Sequence, residues 1–150
     1  MNDMTPQLTS EEFACYVALV ASSTLLERAI EKNLHDQAEL TLVQFEILMR
    51  LADEPDGVRM ADLAEKLIVS RSGLSYQVTQ LEKAGHLTRE KHDADERGIV
   101  ARITPSGEAL RQQVLPGHHA LVHESMFADL TPEELAAITS GLSRVADALR

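Results

Sequence analysis

Apolar residues recur at helical spacing along much of the chain, and the clearest case lies in its middle. Leu74, Val78 and Leu81 are separated by four and three residues, which places them on one face of a helix. Ser70 is suited to cap the start of this helix, and Gly85 is suited to end it. The opposite face is polar, with few carboxylates, and consists of Ser72, Ser75, Tyr76, Thr79, Gln80 and Lys83.

A short helical pattern precedes this helix, and an alternating pattern follows it. Residues 60–67 place three apolar residues on one side, and only a short joint separates them from the next helix, as in a helix-turn-helix. Residues 86–91 alternate, residues 93–98 form a charged turn, and residues 99–103 are rich in β-branched side chains. These features predict a two-stranded hairpin, and a helix-turn-helix followed by such a hairpin is a winged helix.

Two helices are predicted before this core. Residues 9–12 have the spacing of a capping box and open a helix over about residues 10–34. Its apolar residues occupy more than one face, so this helix needs more than one packing partner. Residues 41–44 form a second capping box, which opens a helix that runs to about residue 53.

Two more helices are predicted after the hairpin. Thr104 followed by Pro105 is typical of a helix start, but the pair at 116–117, Pro-Gly, is expected to kink or break that helix. Thr131 opens a last helix with a capping box that Glu134 closes. Apolar residues then recur at spacings of three and four, as in a coiled-coil seam: Leu135, Ile138, Leu142, Val145 and Leu149.

Composition adds limits to this architecture. The chain has 150 residues, 44% of them hydrophobic and 25% charged, which indicates one globular domain over residues 1–150. No apolar run reaches the roughly 18 residues of a membrane span, and no leader is recognisable, so a cytoplasmic location is predicted. Nucleophile-elbow, phosphate-loop and dinucleotide motifs are absent from the sequence, so neither an enzyme nor a cofactor is predicted.

The net charge of −10 is unevenly distributed along the chain. Between Arg59 and Arg102 there are eight Lys/Arg and seven Asp/Glu, a net charge of +1, whereas the rest of the chain carries −11. Binding to nucleic acid draws its sequence-independent affinity from cations on phosphates. The acidic flanks therefore do not exclude a DNA-binding core, but specific contacts must supply more of the affinity.

Several segments resemble the multiple-antibiotic-resistance regulator (MarR) family of winged-helix transcription factors. They are residues 61–64, 69–74, 81–89, 95–98 and 103–107, of which the Leu-Glu-Lys-x-Gly helix end and the Asp-x-Arg-Gly turn are the most specific. The resemblance implies a mainly α protein with a small β-hairpin wing. In that arrangement residues of about 41–104 form the DNA-binding lobe, and dimerisation helices lie at about 10–40 and 105–150. A competing interpretation packs the last helix on the chain's own first helix.

The resemblance implies a homodimeric regulator, a repressor of transcription, that binds a pseudo-palindromic operator in double-stranded DNA. Hydroxyl, amide and guanidinium groups on the polar helix face suit the edges of bases in the major groove. The hairpin tip suits the minor groove or a phosphate, with Asp95 as its support. The residues predicted to contact DNA are Ser70, Arg71, Ser72, Ser75, Tyr76, Gln77, Gln80 and Arg97. A winged helix used only for protein contacts is the alternative.

The family also implies release by a small-molecule effector of unknown identity, bound between the dimerisation helices and the DNA-binding lobe. A zinc-responsive regulator of the same fold is an alternative, because His119 and His123 lie four residues apart and would share a helix face. Surface or interhelical histidines are the favoured interpretation, since no dense ligand cluster is present. The candidate metal ligands are His118, His119, His123 and Glu46, with Glu27 as a further possibility.

Cys15 is the only cysteine, which excludes an intrachain disulfide and fits a reducing compartment. It lies on the first helix, where the peroxide-sensing branch of the family has its reactive cysteine. Tyr16, the nearest tyrosine in sequence, points about 100° away around the helix. A buried and inert thiol is therefore expected.

Overall fold

Six α-helices and three strands make up the part of the chain that the computed structural model describes, residues 7–67, 71–91 and 98–150. The order along the chain is α1 (Ser10–Ala38), α2 (Leu42–Ala52), β1 (Val58–Arg59), α3 (Met60–Leu67), α4 (Arg71–Lys83), β2 (Leu87–Lys91), β3 (Ile99–Ile103), α5 (Pro105–Val122) and α6 (Pro132–Leu149). A π-helical segment, His123–Phe127, separates α5 from α6. The chain divides into a central unit, Ile30–Ala120, and a terminal unit formed by residues 7–29 and 121–150.

The three predicted capping boxes are all formed. At the start of α2, the hydroxyl of Thr41 accepts the Gln44 N–H at 3.1 Å, and the Gln44 side chain accepts the Thr41 N–H at 3.1 Å. The same reciprocal bonds open α1 at residues 9–12 and α6 at residues 131–134. Each box satisfies backbone donors that a helix leaves unpaired at its first turn.

Helix α1 is longer than predicted, since it continues to Ala38 rather than to about residue 34. Glu39 then adopts a left-handed conformation, with φ of 54°, and the Leu40 N–H bonds the Leu34 carbonyl at 3.4 Å. This is a helix end normally marked by glycine. A glutamate at that position carries no such signal in the sequence, which explains the error.

The core of the central unit is formed by the predicted apolar face of α4 together with side chains from the other elements. Leu74, Val78 and Leu81 are at most 2% exposed, which confirms the predicted stripe. The other large side chains that are fully buried come from α1, α2, α3, β2 and α5: Leu34, Ile47, Leu48, Leu51, Leu63, Leu87 and Val114. This packing fixes the rotation of α4 about its own axis, so its polar face points away from the core.

The predicted hairpin forms, but its sheet has three strands among the described residues rather than two. β2 and β3 pair antiparallel from Leu87 opposite Ile103 to Lys91 opposite Ile99. β1 adds a third strand on the other side of β3, with Val58 opposite Ala101. The two residues of β1 are too few to show an alternating pattern, so only pairing with β3 reveals the strand.

Of the kink or break expected at the Pro116–Gly117 pair, the break does not occur, because α5 continues through Pro116 to Val122. A proline inside a helix removes one backbone hydrogen bond and crowds the preceding turn. Contacts on both sides of the proline hold the helix together: Val114 is fully buried, and the His118 ring lies 4.7 Å from the Phe45 ring, centroid to centroid. Tertiary packing offsets the free-energy cost of the proline, and these contacts cannot be recognised from the sequence pattern.

Many apolar side chains of the terminal unit are exposed. No residue of α6 is buried, and α1 contributes no buried residue before Ile30. The exposed apolar side chains of these two helices include Phe13, Val17, Val20, Leu25, Leu135, Leu142, Val145 and Leu149. Of the five residues in the predicted seam on α6, four are exposed and Ile138 is half-buried.

Two expectations about α1 are corrected. Cys15 is exposed, not buried, and it lies in a part of α1 where the described structure buries no residue before Ile30. The helix also contains an 18-residue window with a mean hydropathy of 1.4, long and apolar enough to cross a membrane by length and composition. Polar residues such as Ser22, Ser23 and Thr24 interrupt the window, so it does not appear as an uninterrupted apolar run. Length and composition alone are weak evidence, since soluble helices pass the same test.

Candidate nucleic-acid interface

The polar face of α4 is the surface on which most of the predicted DNA contacts lie. Ser72 and Ser75 are exposed, and Tyr76 is 63% exposed although it is a large side chain. Glu82, near the end of the helix, is the only carboxylate that α4 carries. A narrow, polar and nearly uncharged helix face of this kind can approach base edges without repelling phosphates.

The two glutamines predicted to contact DNA are less accessible than the serines. Gln77 and Gln80 are both half-buried. The side-chain oxygen of Gln77 is buried and has no hydrogen-bond partner within the part of the chain that the structure describes. A buried amide oxygen without a partner is costly, so a ligand or water that reached it would be stabilised.

The remaining predicted contacts fall at the edges of the described chain. Ser70, Arg97 and Asp95 lie outside the described residues, as do the proposed cap of α4 and most of the hairpin turn. Arg71 is the first residue of α4. Their roles in binding and support stay predictions.

The end of α4 is tied to the base of the wing, the hairpin of β2 and β3. Gly85 has a φ of 81°, and the His86 N–H bonds the Leu81 carbonyl at 2.9 Å, which is a Schellman ending and confirms the predicted role of Gly85. The Thr104 hydroxyl donates to the Gly85 carbonyl at 2.6 Å and accepts the Gly107 N–H at 3.1 Å. The end of α4, both strands of the wing and the start of α5 therefore meet at one joint.

A second tie joins the body of α4 to strand β2. The guanidinium of Arg89 donates to both carboxylate oxygens of Glu82, at 2.8 and 3.3 Å, and the Arg89 backbone N–H donates to the same carboxylate at 3.1 Å. Arg89 also donates to the Thr79 hydroxyl at 3.3 Å, and that hydroxyl donates to the Ser75 carbonyl at 2.8 Å. The hydrogen bond from Arg89 lowers the pKa of Glu82, and Glu82 in turn raises the pKa of Arg89.

Arg89 was predicted only as one of the basic residues of the DNA-binding segment. Its pairing with Glu82 was not predicted. Thr79 was assigned to the outward polar face, whereas its hydroxyl is directed to other protein groups. The signal available in the sequence was a glutamate in the last turn of a helix and an arginine seven residues later, across a glycine turn. That spacing brings the two side chains together only if the strand folds back along the helix.

The candidate metal ligands do not gather into a site. Among the described residues, no group of three or more His, Cys, Asp or Glu side chains could hold a metal ion. His118 packs against Phe45, and its Nδ1 atom is buried without a hydrogen-bond partner in the described structure. Burial lowers the pKa of the His118 imidazole, and neighbouring His119 adds to the effect. His123 lies in the π-helical segment, and Glu46 is a half-buried residue of α2.

A helix-turn-helix whose second helix is tied to a hairpin wing, within a small antiparallel sheet, defines the winged helix-turn-helix class. The MarR family model matches residues 38–98 of the chain. AbsC, a MarR family transcriptional regulator from Streptomyces coelicolor, has a similar structure with a TM-score of 0.91. It is 35% identical, with 97% of this chain and 99% of that chain covered. This chain belongs to the MarR family of transcriptional regulators.

Two further relatives give the extent of the similarity. Sco3205, a MarR family transcriptional regulator from Streptomyces coelicolor whose structure was determined in complex with DNA, is 33% identical with a TM-score of 0.94. The match covers 99% of this chain and 94% of that chain. An uncharacterized HTH-type transcriptional regulator of Bacillus cereus is 33% identical over 96 residues, which are 64% of this chain and 62% of that protein. The match thus spans less than two thirds of that curated relative's length.

Proposed function

We propose that this protein is a cytoplasmic, homodimeric repressor of transcription that binds a pseudo-palindromic operator and acts by binding rather than by catalysis. The observation that carries the proposal is the exposed polar face of α4, where Ser72, Ser75 and Tyr76 stand on a helix whose opposite face is buried. A helix held in this way can enter the major groove with its side chains directed at base edges. The similarity to Sco3205, which was solved with DNA, supports the same use of the fold.

The exposed apolar faces of α1 and α6 support the homodimer. Side chains such as Phe13, at 58% exposure, and Val145, at 50%, have little cover within the chain. Extended apolar surfaces of this kind on a soluble protein mark an interface. A second copy would cover both helices in a symmetric contact and would place two copies of α4 about one helical turn of DNA apart.

Release by a small-molecule effector completes the proposal. An effector that binds one separation of the two reading helices better than another shifts the population away from the form that fits the operator. Zinc is the alternative trigger. Chelation by the histidines near the end of α5 would need ligands beyond those that the described residues bring together.

The test is fluorescence anisotropy of the purified protein on duplex DNA from upstream of its own gene, with excess random duplex as competitor. We expect tight binding that survives the competitor and weakens when salicylate is added as a probe of effector release. A response to zinc that a chelator reverses would favour the metal-responsive alternative. Equal binding to specific and random duplex under every condition would overturn the operator-binding proposal in favour of a protein-contact module.

A pair of arginine variants sharpens the test of the wing. Arg97→Ala removes the cation predicted to contact DNA from the hairpin, whereas Arg150→Ala removes the same charge from the exposed end of the chain. Loss of a base or phosphate contact weakens binding by about tenfold. We expect that loss for Arg97→Ala with unchanged dimerisation, and wild-type affinity for Arg150→Ala. Equal affinities for the two variants would contradict a DNA contact by the wing.

A further inference from the structure

Arg89, Glu82 and Thr79 form a set of contacts, called here the clamp, that spans two elements of the proposed DNA-binding surface. Glu82 and Thr79 belong to α4, one helical turn apart, and Arg89 belongs to β2. Three N–H groups of the guanidinium bind other described residues: two bind the carboxylate of Glu82 and one binds Thr79. The Arg89 backbone N–H makes a fourth contact, to Glu82.

The clamp commits the charge of Arg89 to the protein. Its side chain is 25% exposed and that of Glu82 is 36% exposed, so the pair is shielded from water more than a surface ion pair. Bidentate contacts between a guanidinium and a carboxylate fix orientation as well as distance. Arg89 is therefore poorly disposed to bind a phosphate, although it lies in the basic part of the sequence.

We propose that Glu82 and Arg89, assisted by Thr79, are positioning residues that fix the wing relative to α4 for recognition of DNA. This inference rests on the proposed function. The joint at Gly85 and Thr104 holds the base of the wing to the end of α4 at one place. The clamp supplies a second point, two residues into β2, and two separated points define the direction of the strand.

Electrostatics and positioning predict opposite effects when the charge of Glu82 is removed. A carboxylate on a helix that enters the major groove repels the phosphates, so Glu82→Gln would tighten binding if charge alone mattered. If the carboxylate positions the wing, the same variant weakens binding to the specific site. Glu90 provides the matched control, because it is an exposed carboxylate of β2 next to Arg89 in sequence.

The experiment measures anisotropy of each variant with the specific duplex and with random duplex, at a temperature where circular dichroism shows the variant to be folded. We expect Glu82→Gln to lose about tenfold in affinity for the specific duplex while its affinity for random duplex is unchanged or higher. Arg89→Lys, which keeps the charge but loses the bidentate geometry, should show the same loss. Glu90→Gln should show no loss.

A double-variant cycle separates positioning from independent contacts. The double variant with Glu82→Gln and Arg89→Gln should bind the specific duplex about as tightly as either single variant. Each residue positions the wing only when its partner is present, so the second substitution removes nothing further. Specific binding by Glu82→Gln that equals or exceeds that of the wild type would overturn the clamp proposal and leave the operator proposal standing. A wild-type protein without preference for any duplex would overturn both.

Discussion

The carbonyl oxygen of His86 faces Gly107 so closely that a Cβ atom on Gly107 would lie 2.0 Å from it. This contact brings the first turn of α5 directly against His86, three residues after the end of α4. Only the absence of a side chain permits the approach, since atoms of this type do not come closer than about 3 Å. The glycine is thus required by the joint between the helices and not by its own backbone angles.

Gly107→Ala should destabilise the protein by about 2–3 kcal/mol, because the clash is with backbone and no rotamer change relieves it. Gly117→Ala is the matched control within the same helix, since the new methyl group would meet the side-chain amide of Gln37, which can move. We expect the control to stay within about 1 kcal/mol of wild type, because alanine also favours the helix. Urea unfolding followed by circular dichroism measures both, and similar losses for the two variants would contradict the assignment.

Thr41→Ala should cost about 1 kcal/mol of folding free energy, since it removes the side-chain oxygen that accepts the Gln44 N–H. Thr41→Ser retains the hydroxyl and should fold with nearly wild-type stability. Thermal unfolding of the two variants in parallel measures the difference. A serine variant as unstable as the alanine variant would show that the methyl group, and not the cap, provides the stabilisation.

His118 should make the protein less stable at mildly acidic pH. Burial lowers the pKa of His118 in the folded protein below the ordinary value of 6.5. At pH values between the folded pKa and 6.5, the unfolded chain therefore binds more protons than the folded protein. Stability is unaffected well above pH 6.5 and falls as the pH decreases from about 6.5 toward the folded pKa. His118→Gln should abolish this decrease, while replacement of exposed His35 by glutamine should leave it intact. Urea midpoints measured from pH 7.5 to 5.0 provide the comparison.

Leu142→Gln should weaken the proposed dimer. Leu142 is 39% exposed, so covering it contributes only part of the about 1.5–3 kcal/mol of a fully buried leucine, and a symmetric interface contains the residue twice. The dissociation constant should therefore rise by about tenfold or more. Arg144→Gln gives the same final residue on the opposite face of α6 and should leave the dissociation constant unchanged. Sedimentation equilibrium measures both dissociation constants. An unchanged dissociation constant for the Leu142 variant would instead favour packing of the seam on the chain's own α1.

Features that depend on neighbouring residues in the sequence were predictable. The apolar stripe from Leu74 to Leu81, the capping boxes and the left-handed Gly85 all arise from groups within one or two helical turns, and all are confirmed. The continuity of α5 across Pro116 depends instead on packing by side chains far away in sequence, such as Phe45. For the same reason the two residues of β1 were missed, because only their partners in β3 make them a strand.

In the candidate site, too, local features were predictable and features that depend on distant residues were not. The exposure of Ser75 and Tyr76 follows from helical geometry once the buried face is known. The orientation of Thr79 toward Arg89 does not, because it depends on how closely β2 returns along α4. The helix that carries the proposed contacts was therefore predictable from the sequence pattern. The contact of one of its polar residues, Thr79, with the protein's own wing was not, because it depends on the three-dimensional fold.

The short strand β1 has a consequence for association between molecules. It covers one side of β3 and ends after two residues, so it offers little free backbone to an added strand. The outer strand, β2, carries charged side chains at Arg89, Glu90 and Lys91, and charged edges disfavour strand addition between molecules. The sheet is thereby protected from edge-to-edge aggregation even though the helices of the terminal unit expose apolar surface. In the proposed homodimer, contacts between the two copies would therefore involve helices and not the sheet.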